Sequence, residues 1–544
     1  MVAILIIAVV AFSLAYAIYG RFLAKRYELD DNRPTPSHTD YDGIDRVPAH
    51  KVVLLGHHFS SIAGAAPIVG PIIAALAFGW LPVVLWIVLG AIFIGAVIDF
   101  SALVASIRHN ARSIAEIARQ YMSTLAFKLL LAFIWLTLVY VLTVFADLTA
   151  ETFIDDGGVA TSSLIYIAMA VVFGLAINKM KIPLLWASLV FVPLVFLAVW
   201  VGQKIPISAN LIPEIIAGEP KKTWALFLLF YCFLASTTPV WILLQPRDYL
   251  SSYLLYASVI TGFVGIIIGG FTIQYPAVTV WSVPQTGTLF PILFITVACG
   301  ACSGFHSIVA SGTSSKQLNK ESDAKAIAYG GMLLEGIVAV IALATVIMLP
   351  KDDQLTTKAP LVIYGTGIAN FLSVLGIQEK LGFSFGLLTL SAFILTTLDT
   401  ATRLGRYIFE EFFNLKGVHW RYISTLATLT LPAIFVLINL KDAQGNPIPA
   451  WRAIWPVFGT CNQLLAGLVA LVIAVWLKKT GRKIGFILGP AFFMNIVTIW
   501  ALVLLLLQYR FSAVGIIAAV LLLLALVLIV EAYKTVKKLI ALSK

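Results

Sequence analysis

The chain has 544 residues, of which 60% are hydrophobic and 12% charged, and its mean hydropathy is +0.97. That composition excludes a water-soluble fold and specifies a polytopic membrane protein. The net charge of +11 does not point to nucleic acid, because the basic residues fall in short loops between apolar spans, where membrane orientation accounts for them.

The first predicted span covers 2–19. No basic residue precedes it, and Arg21, Lys25 and Arg26 follow it, the reverse of a secretory leader. It is read as an uncleaved peripheral span with its N-terminus outside. Arg21 to Lys51 is a polar loop. The stretch Gly56 to Pro71 (GHHFSSIAGAAPIVGP) then opens a second span near 61–78. Gly56, Gly64, Gly70, Pro67 and Pro71 prevent a full backbone ladder there, and lipid offers the freed groups no partner. One reading is a helix kinked for packing. The other, preferred because His57, His58, Ser60 and Ser61 crowd the same stretch, is a broken helix of the kind that builds transporter midplane sites. His57, His58, Ser60, Ser61 and Gly64 are therefore substrate-binding candidates.

Further spans are predicted near 81–104, 125–147, 161–177, 183–201, 223–245, 252–273, 290–312, 326–349, 383–400, 421–439, 451–476, 484–507 and 513–530. The fold class is an all-α polytopic membrane protein of about fifteen transmembrane helices, N-terminus outside and C-terminus inside. The run 361–377 is read as re-entrant or external, since a crossing would put Arg403, Arg406, Lys416 and Arg421 outside. So placed, 28 of the 37 Lys and Arg lie inside and 9 outside. The acidic loop Asp147–Gly158 falls outside.

Span 223–245 carries an interruption of its own at Ala235-Ser236-Thr237-Thr238-Pro239, and it runs opposite to 61–78. Two interrupted segments in opposite-facing halves predict an inverted-repeat transporter. One repeat would cover 52–201 and the second 223–400, with 2–19 and the additional C-terminal spans 421–530 peripheral. Ser236, Thr237 and Thr238 join the substrate-binding candidates. This expectation rests on topology, since the halves share no visible residue-level similarity.

Ionisable residues inside spans are functional candidates by default. Glu335 lies deep within Ile327–Leu349, and Asp99 and Asp399 lie at the inner ends of their spans, in reach of Arg108 or Arg403. In the ninth span Ser303, His306, Ser307 and Ser311 are spaced i,i+3 and i,i+4 and are expected on one face, suited to a small cation or a proton. Together with Glu335, Asp99 and Asp399 they are the ion-coupling candidates. Thr396, Thr397 and Thr400 add hydroxyls beside Asp399, and Asn462 and Gln463 place amides in the thirteenth span. Arg247 has two readings, a partner for a substrate carboxylate or an interfacial anchor, and the anchor is preferred. Cys232, Cys299, Cys302 and Cys461 all lie in or beside spans, so no disulfide framework is implied, and Cys299-Gly-Ala-Cys302 is read as small-residue packing. No metal site and no catalytic residue are expected; HExxH is absent.

Gly56-His-His-Phe-Ser-Ser-Ile-Ala-Gly-Ala-Ala-Pro-Ile-Val-Gly-Pro71 with Gly95-Ala-Val-Ile-Asp-Phe100 resembles the carbon starvation protein CstA family. Cys299-Gly-Ala-Cys-Ser-Gly-Phe-His-Ser307, Ser311-Gly-Thr-Ser-Ser-Lys-Gln317 and Asp399-Thr-Ala-Thr-Arg-Leu-Gly-Arg-Tyr407 look like further signatures of it, and the likeness runs to about residue 480. The chain is shorter than long members of that family, so nothing in their extra segments is carried over. The resemblance implies a cytoplasmic-membrane transporter related to the amino acid–polyamine–organocation group, with a LeuT-like five-plus-five core. It also implies uptake of peptides or pyruvate under carbon starvation.

The reading is a symporter for a small anionic or zwitterionic nutrient, coupled to H⁺ or Na⁺, with membrane lipid and the solute as its partners. No cofactor beyond the transported ion and no nucleic acid are expected. An intramembrane serine hydrolase is the weaker alternative: Gly300-Ala-Cys-Ser-Gly304 and His306 share one span, whereas a nucleophile needs its base across from it and an oxyanion hole. A nutrient sensor is a third, but no long polar segment offers a signalling domain.

Overall fold

In lipid only a helix satisfies its own backbone, and this chain's apolar runs form helices accordingly. The computed structural model describes residues 1–207, 219–283, 287–439, 448–510 and 513–542. The chain opens with α1 (Val2–Ala17), α2 (Tyr19–Tyr27) and the short α3 (Pro36–Thr39). There follow α4 (Lys51–Ile62), α5 (Ala66–Phe78), and α6 (Trp80–Gly90) joined by a π-helical turn to α7 (Ala96–Ile107). Next come α8 (Ile114–Tyr121), α9 (Thr124–Asp155), α10 (Gly157–Asn178), α11 (Leu184–Lys204), α12 (Pro220–Thr237) and α13 (Leu244–Gly269). After a two-stranded hairpin come α14 (Leu289–Thr296), α15 (Gly304–Val309), a π-helical turn, α16 (Ser315–Gln317), α17 (Gly331–Ile347) and α18 (Pro360–Ser373). The chain closes with α19 (Glu379–Phe413), α20 (Val418–Leu437), α21 (Ala450–Lys479), α22 (Gly485–Tyr509) and α23 (Ala513–Leu542).

Among the described residues, 12 helices are long and apolar enough to cross a membrane, and α4 with α5 forms a further pair bent by 40°. Rows such as Leu185, Trp186, Leu189 and Val190 on α11, or Ile7, Val10 and Leu14 on α1, face outward and are apolar, as a lipid-facing surface requires. Helix α18 has 14 residues. At 1.5 Å per residue it is about 21 Å long, too short for a ~30 Å hydrocarbon core. It lies against α19 and α13, in keeping with the expectation that 361–377 does not cross.

Two predicted spans differ from what is observed. The stretch 223–245 is not one interrupted helix: α12 runs unbroken to Thr237, and α13 starts at Leu244. The turn residues Ala235 to Pro239 thus end a helix instead of splitting one. Conversely, 290–312 is not continuous. Helix α14 stops at Thr296, and residues 297–303 are unwound before α15. The second interrupted stretch beside the α4–α5 break is therefore 297–303.

The two breaks pack on one another, and the glycines explain how. A Cβ on Gly70 would sit 2.5 Å from the Thr296 carbonyl oxygen, so only glycine lets α5 approach the second break. Gly64, in the first break, lies against the Phe145 ring of α9 and Thr397 Oγ1 of α19, each 2.8 Å from where its Cβ would be. Side chains satisfy backbone groups freed by the unwinding. Trp86 Nε1 donates to the Val297 carbonyl at 2.9 Å, and Gln463 Nε2 to the Phe294 carbonyl at 2.8 Å. Asn462 Oδ1 accepts from the Phe305 N–H at 2.8 Å.

Around the breaks, α4 packs on α13, α5 on α17, α9 on α19, α12 on α20, and α14 and α15 on α21. Helix α1 leans on α17, while α22 and α23 cover α21.

Candidate functional site

Beside the second break lies a buried line of three ionisable residues from three helices. His306 of α15 has Nδ1 3.2 Å from Asp99 Oδ2 of α7 and Nε2 3.3 Å from Glu335 Oε2 of α17. All three side chains are fully buried. The Nε2–Oε2 approach is not aligned as a hydrogen bond, so His306 Nε2 and both Glu335 oxygens have no hydrogen-bond partner among the described residues. Ser307 Oγ donates to Asp99 Oδ1 at 3.4 Å. Asp99, expected at the inner end of its span, is instead in its buried interior.

Ser303 is not on the α15 face. It precedes the helix in an extended conformation, and its hydroxyl donates to Asn462 Oδ1 at 3.1 Å. The sequence places Ser303 one turn before His306, but the helix starts only at Gly304, so the predicted stripe is shortened. Ser311 Oγ donates to the Ser307 carbonyl at 2.8 Å, which leaves it structural in this conformation. A hydroxyl committed to an amide away from His306 also lacks the arrangement of an activated serine.

A second buried network sits against the first break. His57 Nδ1 is 2.5 Å from Asp248 Oδ2 of α13. Arg247 donates from Nη2 to Asp248 Oδ1 at 2.6 Å, from Nη1 to Tyr231 Oη of α12 at 2.8 Å, and pairs directly with Asp399 of α19. Tyr231 Oη in turn donates to Asp399 Oδ2 at 2.9 Å. Arg247, Asp248 and Asp399 are fully buried. Arg247 is therefore not an interfacial anchor: its one guanidinium bridges two buried carboxylates, and a buried carboxylate without such a partner is costly. Asp399 likewise belongs to this network and not to the inner surface. Asp248 and Tyr231 were not singled out from the sequence. The adjacent Arg-Asp pair inside an apolar helix was the one available signal.

His58 points the other way. Its Nδ1 is 2.8 Å from Ser314 Oγ, and its ring lies against Gly331, one turn before Glu335. Ser60 donates to the Asp248 carbonyl at 3.3 Å. Ser61 Oγ is 3.0 Å from Thr400 Oγ1, and Thr397 donates to the Ser61 carbonyl at 3.0 Å. His57, His58, Ser60, Ser61 and Gly64 are all buried in α4 and the break after it, but they face different neighbours: His57 and Ser60 face α13, His58 faces Ser314, and Ser61 faces α19. The structure sets Ser236, Thr237 and Thr238 apart: Ser236 meets Thr425 at 3.2 Å, and Thr237 and Thr238 bond back into their own helix.

The two ends of the bundle differ. At one end a cavity of about 600 Å³ reaches down between α5, α14 and α21, lined by Ile73, Thr296, Thr356, Arg452, Trp455 and Tyr509 among others. Below it, Phe458 packs edge-to-face on Phe145, whose ring covers Gly64. The opposite end is cross-linked by ion pairs and holds a cavity of about 580 Å³ beside Lys316, Tyr407 and Glu410. Asp45 binds Arg403 at 2.5 Å and Arg406 at 3.0 Å, Glu321 binds Arg108 at 2.8 Å, and Thr35 donates to the Leu318 carbonyl at 2.5 Å. Burial disfavours the Asp45 carboxylate, but the two guanidiniums outweigh it and hold its pKa below the ordinary range.

The family model described as "Carbon starvation protein CstA" matches residues 1–366 and 351–501 of this chain. The chain belongs to that family. A CstA relative from Escherichia coli (strain K12), named peptide transporter CstA, is 31% identical over 88% of this chain and 77% of its own length. A second relative from the same organism, named pyruvate/proton symporter BtsT, is 29% identical over 92% of this chain and 81% of its own. Both are named as transporters, in line with the reading of the sequence. A solved structure, that of MhsT in complex with L-phenylalanine, aligns over 88% of this chain and 99% of its own at 13% identity, with a TM-score of 0.48.

Proposed function

We propose that the chain is a secondary active transporter that imports a small carboxylate-bearing nutrient, a peptide or a pyruvate-like acid, in symport with H⁺ or Na⁺ and in service of carbon starvation. The observation that carries this reading is the Asp99–His306–Glu335 line beside an unwound helix, with His306 Nε2 and both Glu335 oxygens unpartnered. Such a group of atoms can take up and release a proton without rearranging a hydrogen-bond network. The solute would sit at the first break, next to His57, His58, Ser60, Ser61 and Gly64, with the start of α5 offering N–H groups to a carboxylate. Sodium would instead favour the oxygens of Ser61, Thr397 and Thr400, which join α4 to α19. The names of the relatives, one a peptide transporter and one a pyruvate/proton symporter, support both solute classes.

The core reads as a five-plus-five inverted repeat, and the packing supports boundaries other than 52–201 and 223–400. The first repeat would be α4–α5, α6–α7, α9, α12 and α13, with α10–α11 inserted. The second would be α14–α15, α17, α19, α20 and α21. In this pairing α4 on α13 corresponds to α14 and α15 on α21, α21 on α9 to α13 on α19, and the short α8 to α18, while α9–α19 and α12–α20 pair across the pseudo-axis. Counting α4–α5, α12 and α14–α16 as crossings gives fifteen, with the N-terminus outside and the C-terminus in the cytoplasm. The cavity between α5, α14 and α21 then opens outward, and the Asp45 and Glu321 ion pairs cross-link the cytoplasmic side.

Proteoliposomes offered labelled pyruvate and a labelled dipeptide under an inward proton gradient, with and without Na⁺, test this. Uptake of either solute that collapses with the gradient, and in the His306→Ala protein, is the expected result. Absence of uptake of both in sealed vesicles counts against it.

A further inference from the structure

The second break gathers a set of atoms that proton handling does not use in full. A Cys299 sulfur, a His306 ring nitrogen and a Glu335 carboxylate oxygen lie within 4.8 Å of one another, all buried. We propose that Cys299, His306 and Glu335 form a binding site for a divalent transition-metal ion of the zinc class.

The geometry is close to what such an ion needs. Metal–nitrogen and metal–oxygen bonds of about 2.0 Å and metal–sulfur bonds of about 2.3 Å, tetrahedrally arranged, put ligand atoms roughly 3.3–3.6 Å apart. His306 Nε2 and Glu335 Oε2 already stand at 3.3 Å. With the three donor atoms within 4.8 Å of one another, closing the site requires the sulfur to move inward by about an ångström and to give up its 3.5 Å contact with Ser303 Oγ, and Cys299 sits in the unwound 297–303 segment, where no helix fixes it. The supporting shell is present as well. Asp99 Oδ2 lies 3.2 Å from His306 Nδ1, which orients the ring and turns its other nitrogen toward Glu335. Asn462 Nδ2 donates to the Cys299 sulfur at 3.4 Å. Buried polar atoms without partners call for an explanation, and here the unpartnered Nε2 and Oε2 face one another.

The donor set selects the metal. Sulfur and imidazole suit zinc and its neighbours, whereas calcium and magnesium take oxygen. Three protein ligands leave a fourth position open, unlike a closed structural site. Binding displaces the thiol proton of Cys299 to solvent. The bound ion would tie the unwound segment to α17. If the chain is the transporter proposed above, an ion there holds the second break rigid and arrests the cycle, so zinc is an inhibitor acting through this site.

The test uses full-length protein in detergent, titrated with ZnCl₂ and, as a spectroscopic probe, CoCl₂. One metal per chain is expected, with a near-ultraviolet thiolate-to-cobalt charge-transfer band. Cys299→Ser removes the band and Cys461→Ser, altering a buried cysteine outside the cluster, retains it. Glu335→Gln loses binding, and Asp99→Asn weakens it by about 10–100-fold. Substoichiometric metal in the wild-type protein, or binding that survives both Cys299→Ser and His306→Ala, overturns the site. In proteoliposomes, Cys299→Ser raises the zinc concentration that halves uptake by at least about tenfold. Gradient-driven uptake without metal binding refutes the metal site alone. Metal binding in a protein that moves no solute refutes the transport reading alone.

Discussion

Glu335 Oε2 stands 3.3 Å from His306 Nε2, neither atom has a hydrogen-bond partner among the described residues, and Asp99 lies behind the ring. In the chain the two residues are separated by a π-helical turn, α16 and a loop. Glu335→Gln keeps the shape and removes the charge. Proton-gradient-driven uptake is expected to fall by at least about tenfold, the scale of an ordinary coupling free energy. Counterflow exchange of labelled solute, which needs no net proton movement, is expected to persist, and its loss would assign Glu335 to solute binding instead.

Arg247 holds Asp248 and Asp399 together at the centre of four helices. Removing one partner of a buried ion pair strands the other, at a cost of about 3–5 kcal/mol. Arg247→Met is therefore expected to lower the unfolding temperature far more than Tyr231→Phe, which deletes one hydroxyl. Thermal-shift measurements on the solubilised proteins compare them; equal effects would deny Arg247 its central place.

Gly70→Ala places a methyl group 2.5 Å from the Thr296 carbonyl oxygen, which is backbone and cannot swing away. A cost of about 1–3 kcal/mol is expected from overpacking, with loss of uptake as the two breaks are pushed apart. Gly485→Ala, at the open start of α22, meets nothing within 4 Å and serves as the neutral comparison. Uptake and melting temperature read both.

Asp45 carries ion pairs that cross-link one end. Its pKa is depressed in the folded protein by Arg403 and Arg406, so its contribution to stability is present above the unfolded carboxylate pKa of about 4 and is lost as pH falls toward the native value. Asp45→Asn is expected to destabilise the protein at neutral pH, and the gap to wild type is expected to shrink as pH drops below about 4. A gap that stays constant with pH would remove the ion pairs from the account.

The sequence announced the helices, the first break and most of the ionisable cast. Apolar runs of about twenty residues have few alternatives in lipid, and Gly and Pro beside paired histidines cannot form a plain helix. It misled where local signals were ambiguous. Ala235 to Pro239 reads like a break but ends α12, and 297–303, which looks like small-residue packing, is the real one. Nothing local distinguishes these, because whether freed backbone groups survive depends on Asn462, Gln463 and Trp86 arriving from other helices.

What the sequence determined by itself was the membrane class, the approximate placing of most helices and the residue types able to carry ions. The tertiary structure decided the partners. Asp99, His306 and Glu335, like His57, Asp248, Arg247 and Asp399, come from helices far apart in the chain. A buried charge persists only beside its counter-charge. Which charges meet is set by how the helices pack, and helical periodicity within a single span carries no record of that.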